Sequence, residues 1–272
     1  TNDKTPATVK KGEVAKIKPR AGSGQFSLFD APQEEAAVAI QENRGNIKSV
    51  AHFYQFIETD FALDLFVKQL LQQTSVCFDT ETTGLKALEI EHIGISFSWE
   101  IGKGYYVSFP VDQIETKIIL EEFRSFFENK SIEKIGHNLK YDIKVLSNYK
   151  MPVKGPLFDT MIAHYLINPD MRHGMDILAE TYLNYQPVSI TKLIGKKGKN
   201  QLSMRDIPLN DQTEYAVEDA DITLQLKEHF DEELTKGNVS KLFKTIELPL
   251  VSVLTAMEIE GINLNTDFLR EL

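Results

Sequence analysis

Three segments suited to β-structure follow one another with little chain between them, and this succession limits the fold more than any other feature. SVCFD (residues 75–79), EIEHIGISFSWE (89–100) and GYYVSFP (104–110) are rich in β-branched and aromatic residues. The glycines of the IGKG link between the second and third suit a hairpin turn. Three strands in such order predict antiparallel pairing. Downstream the chain alternates. ETKIILEEFRSFFEN (115–129) reads as helix, IEKIGH (132–137) as a short strand and NLKYDIKVLSNY (138–149) as helix. FDTMIAHYLIN (158–168) and MDILAETYL (175–183) read as further helices. Strands followed by alternating helix and strand predict an α/β fold, a mixed sheet flanked by helices.

Residues 1–45 lack a sustained apolar period and are rich in Lys, Pro, Ala, Gly and Gln, so a disordered linker or tail is expected there. An ordered domain follows over 46–240, opening with the amphipathic ALDLFVKQLLQQ (62–73). ITKLIGKKGKNQLSMR (190–205) holds Lys192, Lys196, Lys197, Lys199 and Arg205 with no acidic residue, and is expected to be a mobile basic loop. A long helix is predicted over NDQTEYAVEDADITLQLKEHFDEEL (210–234), and another begins within 242–265.

The one cysteine, Cys77, forms no internal disulfide and no thiolate cluster. Any metal must then be held by oxygen or imidazole, which favours Mg²⁺ or Mn²⁺. A formal charge of -10 argues against wrapping duplex DNA over a wide face, though a small contact at a strand end stays open. No apolar run approaches the roughly 20 residues needed to cross a bilayer. The expectation is a cytoplasmic protein without a membrane partner.

Chemistry-bearing residues fall in three places. Asp79 and Glu81 close an apolar strand and, two apart, project to one side, offering two hard oxygen ligands. In GHNLKYDIKVL, Asn138 and Asp142 share a helix face; alone, this reads rather as a capping asparagine and an exposed aspartate. In EYAVEDADITLQL, Tyr215 and Asp219 are again four apart; alone, they describe a half-buried aromatic on an acidic helix. The ordered combination is far more specific than its parts.

FDTET, NLKYD and YAVEDAD resemble, in the same order, the three exonuclease motifs of the proofreading domain in family A DNA polymerases. RHGMDILAE, GKKGKNQLS and the ending ELPLVSVLTAMEIEGINLN also resemble the bacterial DNA polymerase I family, over residues from about 50 onward. The resemblance implies a ribonuclease-H-like 3′-5′ exonuclease fold, with 241–272 as the helical start of a polymerase domain. It implies hydrolysis of the terminal phosphodiester at a single-stranded or frayed 3′ end of DNA, releasing nucleoside 5′-monophosphates. Two divalent cations are implied, Mg²⁺ or Mn²⁺, with Zn²⁺ as an alternative at one position. Asp79, Glu81, Asp142 and Asp219 are then the metal ligands and Tyr215 orients the attacking water. Leu85 is implied as a wedge against the terminal base, with Thr80, Asn138, Tyr141 and Arg172 contacting the strand.

Two positions depart from the family pattern. His137 stands where glutamine is expected, and Thr191 where some relatives carry an aromatic that stacks on a base. Alternatives to a DNA exonuclease are a catalytically silent module of a polymerase and a ribonuclease D-like RNA exonuclease. In the tail, Gln25, Leu28 and Phe29 of QFSLF resemble the short peptide that docks bacterial proteins on a sliding clamp, or else pack on the chain's own domain.

Overall fold

In a computed structural model, described residues comprise 44–196, 198 and 200–271. The expected linker up to residue 43 and the clamp-like Gln25, Leu28 and Phe29 therefore lie outside them. Residues 44–272 cluster as one unit.

The sheet has six strands in the order β1-β4-β3-β2-β5-β6. They are β1 (Phe53–Phe56), β2 (Ser75–Thr82), β3 (His92–Glu100), β4 (Lys103–Ser108), β5 (Glu133–Gly136) and β6 (Leu157–Asp159). β2, β3 and β4 are antiparallel neighbours, as their succession predicted. β5 and β6 add in parallel beyond β2, and β1 pairs in parallel with β4 at the other edge. The sheet is therefore mixed, and β2 lies inside it.

Strand alternation sorts β2 between two helix layers. Val76 and Phe78 enter an aromatic-rich core with Phe66, Phe97, Phe123 and Phe127, beneath α1 (Asp60–Leu70), α2 (Gln113–Glu121), α3 (Arg124–Phe127) and α4 (Leu139–Asn148). Cys77 faces the opposite layer of α5 (Thr160–Ile167), α6 (Met175–Tyr182) and α8 (Leu209–Lys236). α8 lies close across β3 and β4 because β4 offers it a glycine; a Cβ at Gly104 would collide with Val217.

Several boundaries differ from the sequence reading. The helix expected over 115–129 is two, α2 and α3, with Phe123, Phe126 and Phe127 at and after the break all buried. FDTMIAHYLIN is not helical throughout: Leu157–Asp159 is β6, and Asp159 then caps α5 by accepting from the Met161 and Ile162 amides. The basic segment is not one loop. It opens with α7 (Ile190–Ile194) and closes in a 3₁₀ turn (Met204–Asp206), because Ile190, Leu193 and Ile194 pack on Met204, Ile93 and Ile207. Near the end, Ser240–Leu242 and a π-helical turn (Phe243–Glu247) lead into α9 (Leu248–Glu260). Pro249 has no amide for the Thr245 carbonyl, so the preceding turn widens. No helix among the described residues is long and apolar enough to cross a membrane.

Candidate active site

Asp79 and Glu81 stand near the C-terminal end of β2, and Asp219 meets them from α8, which crosses the same face of the sheet. One ligand oxygen from each of the three lies within 4.8 Å of the others. A register shift in the β2–β3 pairing falls between Glu81 and Thr82, just past the second carboxylate. Tyr215 sits one turn before Asp219 and packs against Ile93, Met204 and Ile207.

Asp142 is adjacent but held differently. β5 pairs with β2 only as far as Cys77, which leaves the Thr80 amide beyond the ladder. Asp142 Oδ1 accepts that amide at 3.2 Å and the Thr80 hydroxyl at 2.6 Å. Contrary to the solvent-exposed reading of its segment, Asp142 is buried. Asn138 is not a side-chain cap either: it takes a left-handed φ of 62° and makes no capping bond. The cap comes from Asp159, whose carboxylate accepts from the Asn138 and Leu139 amides as well as from Met161 and Ile162. One buried aspartate thus joins the first turns of α4 and α5, and Asp142 lies in the first turn of α4. Sequence reasoning missed Asp159, since its partners at 138 and 139 lie a strand away.

Burial is the largest influence on every one of these carboxyls. For Asp79 the negative charges of Asp142 and Asp219 add to it, and its pKa stands well above the usual carboxylate range. Glu81 is raised likewise by burial, then by Asp79 and Asp142. Asp219 is raised by burial, Glu81 and Glu218, against a hydrogen bond from Tyr215. Asp142 is pushed up to about 7 by burial, with the Thr80 bonds opposing. The Tyr215 phenol is pushed far upward by burial, then by Asp219 and Glu81, and stays protonated.

A self-repelling group of this kind fits a hard divalent cation. Glu81 Oε1 supports the fit, being buried without any hydrogen-bond partner among the described residues. All the donors are carboxylate oxygens, the set that suits Mg²⁺ and Mn²⁺ rather than soft metals.

A cavity of about 640 Å³ opens over the cluster, with Thr80, Leu85, Tyr141, Ile190, Ile194 and Leu202 in its wall. Leu85 stands 91% exposed at its lip. The turn that carries Leu85 is fixed by Tyr141 and Thr82, whose hydroxyls approach the Gly84 carbonyl at 2.6 and 2.9 Å. Asn138 and Arg172 lie outside the lining. Thr191, at the position of interest on α7, is exposed and bonds Ser189; its neighbours Ile190 and Ile194 form the wall instead. His137 pairs with the Thr160 hydroxyl at 2.9 Å, away from the carboxylates.

A mixed sheet between helix layers, with carboxylates gathered at the end of an inner strand, defines the class: a 3′-5′ exonuclease domain of ribonuclease-H-like fold. The chain belongs to the 3′-5′ exonuclease family, which it matches over residues 54–235. It is similar to DNA polymerase I of Borreliella burgdorferi, 35% identical over 92% of this chain and 27% of that protein. Another relative is DNA polymerase I of Chloroflexus aurantiacus, 36% identical over 78% of this chain and 23% of that protein. The chain spans about a quarter of the length of these relatives. Among solved structures, the POL domain of Pol1 from M. smegmatis in complex with DNA primer-template and dNTP superposes with a TM-score of 0.63 at 20% identity, covering 80% of this chain and 34% of that one. Brucella melitensis NrnC bound to pGG gives 0.60 at 21%, covering 80% and 98%. These structural likenesses carry the fold.

Proposed function

We propose that this chain is the proofreading part of a bacterial DNA polymerase I, removing nucleotides from a single-stranded or frayed 3′ end of DNA in the cytoplasm. The convergence of Asp79, Glu81 and Asp219 beneath an open cavity supports this reading most. The relatives named above, as DNA polymerases, favour DNA over RNA as the strand. Residues 241–272 are then the start of the polymerase domain.

Asp79, Glu81 and Asp219 would hold two divalent cations, Mg²⁺ or Mn²⁺ with Zn²⁺ as an alternative at one position. Asp142 is the fourth ligand, through the oxygen that Thr80 does not engage. The chemistry such a pair supplies is activation of water and stabilisation of charge on the phosphate oxygens. Tyr215 orients the attacking water; burial and then the surrounding carboxylates keep its phenol protonated, so it can donate a hydrogen bond. Water adds to phosphorus, the bond to the 3′ oxygen breaks, and that oxygen takes a proton, leaving a new 3′ hydroxyl and a nucleoside 5′-monophosphate. Leu85 wedges beside the terminal base, while Thr80, Asn138, Tyr141 and Arg172 contact the strand.

Tyr215→Phe keeps the ring and removes the donor. It is expected to slow cleavage about 10²-fold, the lower range for loss of a proton-handling group, with Mn²⁺ binding unchanged. A single-turnover assay beside a Mn²⁺ titration reads both.

The function itself is tested with a 3′-labelled oligodeoxynucleotide and Mg²⁺. Single-stranded and mismatched ends are expected to be degraded faster than a matched duplex, because freeing a paired end costs unstacking of about a few kcal/mol. Chelation of the metal is expected to stop all three. Absence of metal-dependent cleavage would assign the silent-module reading, and preference for an oligoribonucleotide the RNA one.

A further inference from the structure

The chemistry just proposed leaves a second buried carboxylate unused. Glu218 precedes Asp219 on α8, is fully buried, and points away from the cluster into a strap of chain over 183–189. It accepts a hydrogen bond from the Tyr185 hydroxyl at 2.6 Å and from the Val188 amide at 2.7 Å. Burying a carboxylate costs several kcal/mol unless its oxygens are satisfied. Here both oxygens are, one by each donor.

The strap leads directly into α7. Val188 is followed by Ser189, which stands at the N-cap of that helix, and then by Ile190. Ile190 and Ile194 line the same cavity as Leu85. α7 is only five residues long, too short to hold itself in place. The other end of the strap is tied to the Gly45 segment, through Gly45 N to Asn184 O at 3.0 Å and Gln186 N to Gly45 O at 2.8 Å. Between that tie and α7, the Val188 bond is the last fixed point before the wall. One turn of α8 therefore sends Asp219 to the carboxylate cluster and Glu218 to the strap, so one rigid helix ties the cluster to the N-terminal end of the wall, whose apolar face packs on Ile93, Met204 and Ile207.

We propose that Glu218 is a positioning residue: through Tyr185 and Val188 it sets where the Ile190–Ile194 wall stands over the carboxylates, and so how tightly the terminal nucleotide is held. The inference rests on the exonuclease reading above. A wall that grips the nucleotide alike before and during bond breakage affects binding and not the chemical step.

The test compares Tyr185→Phe, Glu218→Ala and Glu218→Gln in the 272-residue chain, using single-stranded oligodeoxythymidylate and Mg²⁺. Tyr185→Phe is expected to raise KM about tenfold, the effect of losing one hydrogen bond to a charged group, and Glu218→Ala, which loses both, at least as much, with kcat within about twofold in each. Glu218→Gln keeps one acceptor oxygen and is expected to fall between these and the wild type. Mn²⁺ affinity is expected to be unchanged in Tyr185→Phe, which keeps the Glu218 charge. Hydrogen exchange of the amides over 188–194 is expected to be about tenfold faster in Tyr185→Phe, with β2 unaltered. Unchanged KM in Tyr185→Phe overturns the proposal, as does weakened Mn²⁺ binding or a fall in kcat alone in that variant. Should Glu218→Ala not fold, Tyr185→Phe decides. A wild-type chain that cleaves nothing would remove the exonuclease reading, and the exchange measurement would then decide alone whether Glu218 holds the wall.

Discussion

Asp79→Ala is expected to lose cleavage on the order of 10³-fold while keeping its fold and gaining stability in the absence of metal. The loss follows from the place of Asp79: it belongs to the three-carboxylate cluster and is raised by the charges of Asp142 and Asp219 beside it, after burial. Removing one of the proposed metal ligands would remove on the order of several kcal/mol of charge stabilisation, and each 1.36 kcal/mol is tenfold in rate. The gain in stability follows from burial. Without a cation, Asp79 is a desolvated charge facing Asp142 and Asp219, so deleting it relieves repulsion. Alanine leaves little void, because Asp79 is only half-buried at the cavity floor. Single-turnover cleavage and urea unfolding of the metal-free protein measure the two effects. Cleavage at the wild-type rate would end the assignment of this cluster as the reaction centre.

The second large effect is on stability against pH. Asp142 has a folded-state pKa of about 7 against an ordinary value of 3.8. A carboxyl raised in this way binds more protons folded than unfolded between those values, so its contribution declines as pH rises from about 4 to about 7. The amount lost is on the order of a few kcal/mol. Asp142→Asn keeps an oxygen for Thr80 and cannot ionise. The variant is therefore expected to gain on the wild type steadily over that window in the metal-free state. Saturating Mg²⁺ or Mn²⁺ is expected to restore the wild type, since a ligand at 100 times its Kd contributes about 2.7 kcal/mol. Urea midpoints at pH 4.5, 6 and 7.5, with and without metal, read the outcome; parallel curves for the two proteins would refute it.

Much of the framework was legible in the sequence. Antiparallel β2, β3 and β4 follow from three strand segments in succession, and the helix over 209–236 from an unbroken amphipathic run. Local signals missed β1, a four-residue edge strand, and joined β6 to the helix after it. They also made a mobile loop of a segment whose isoleucines fold back on β3 and the 3₁₀ turn. In each case the deciding contact lies far along the chain, where periodicity carries no signal.

The same division runs through the candidate site. By itself the sequence determined that Asp79 and Glu81 share a side, because a strand repeats every two residues, and that Tyr215 and Asp219 share a face, because a helix repeats every 3.6. Only the tertiary structure decided that these two pairs meet, that Thr80 holds Asp142, and that Asp159 rather than Asn138 caps α4. Backbone geometry fixes relations within an element. Relations between elements depend on how sheet and helix layers pack, and packing is a property of the whole chain.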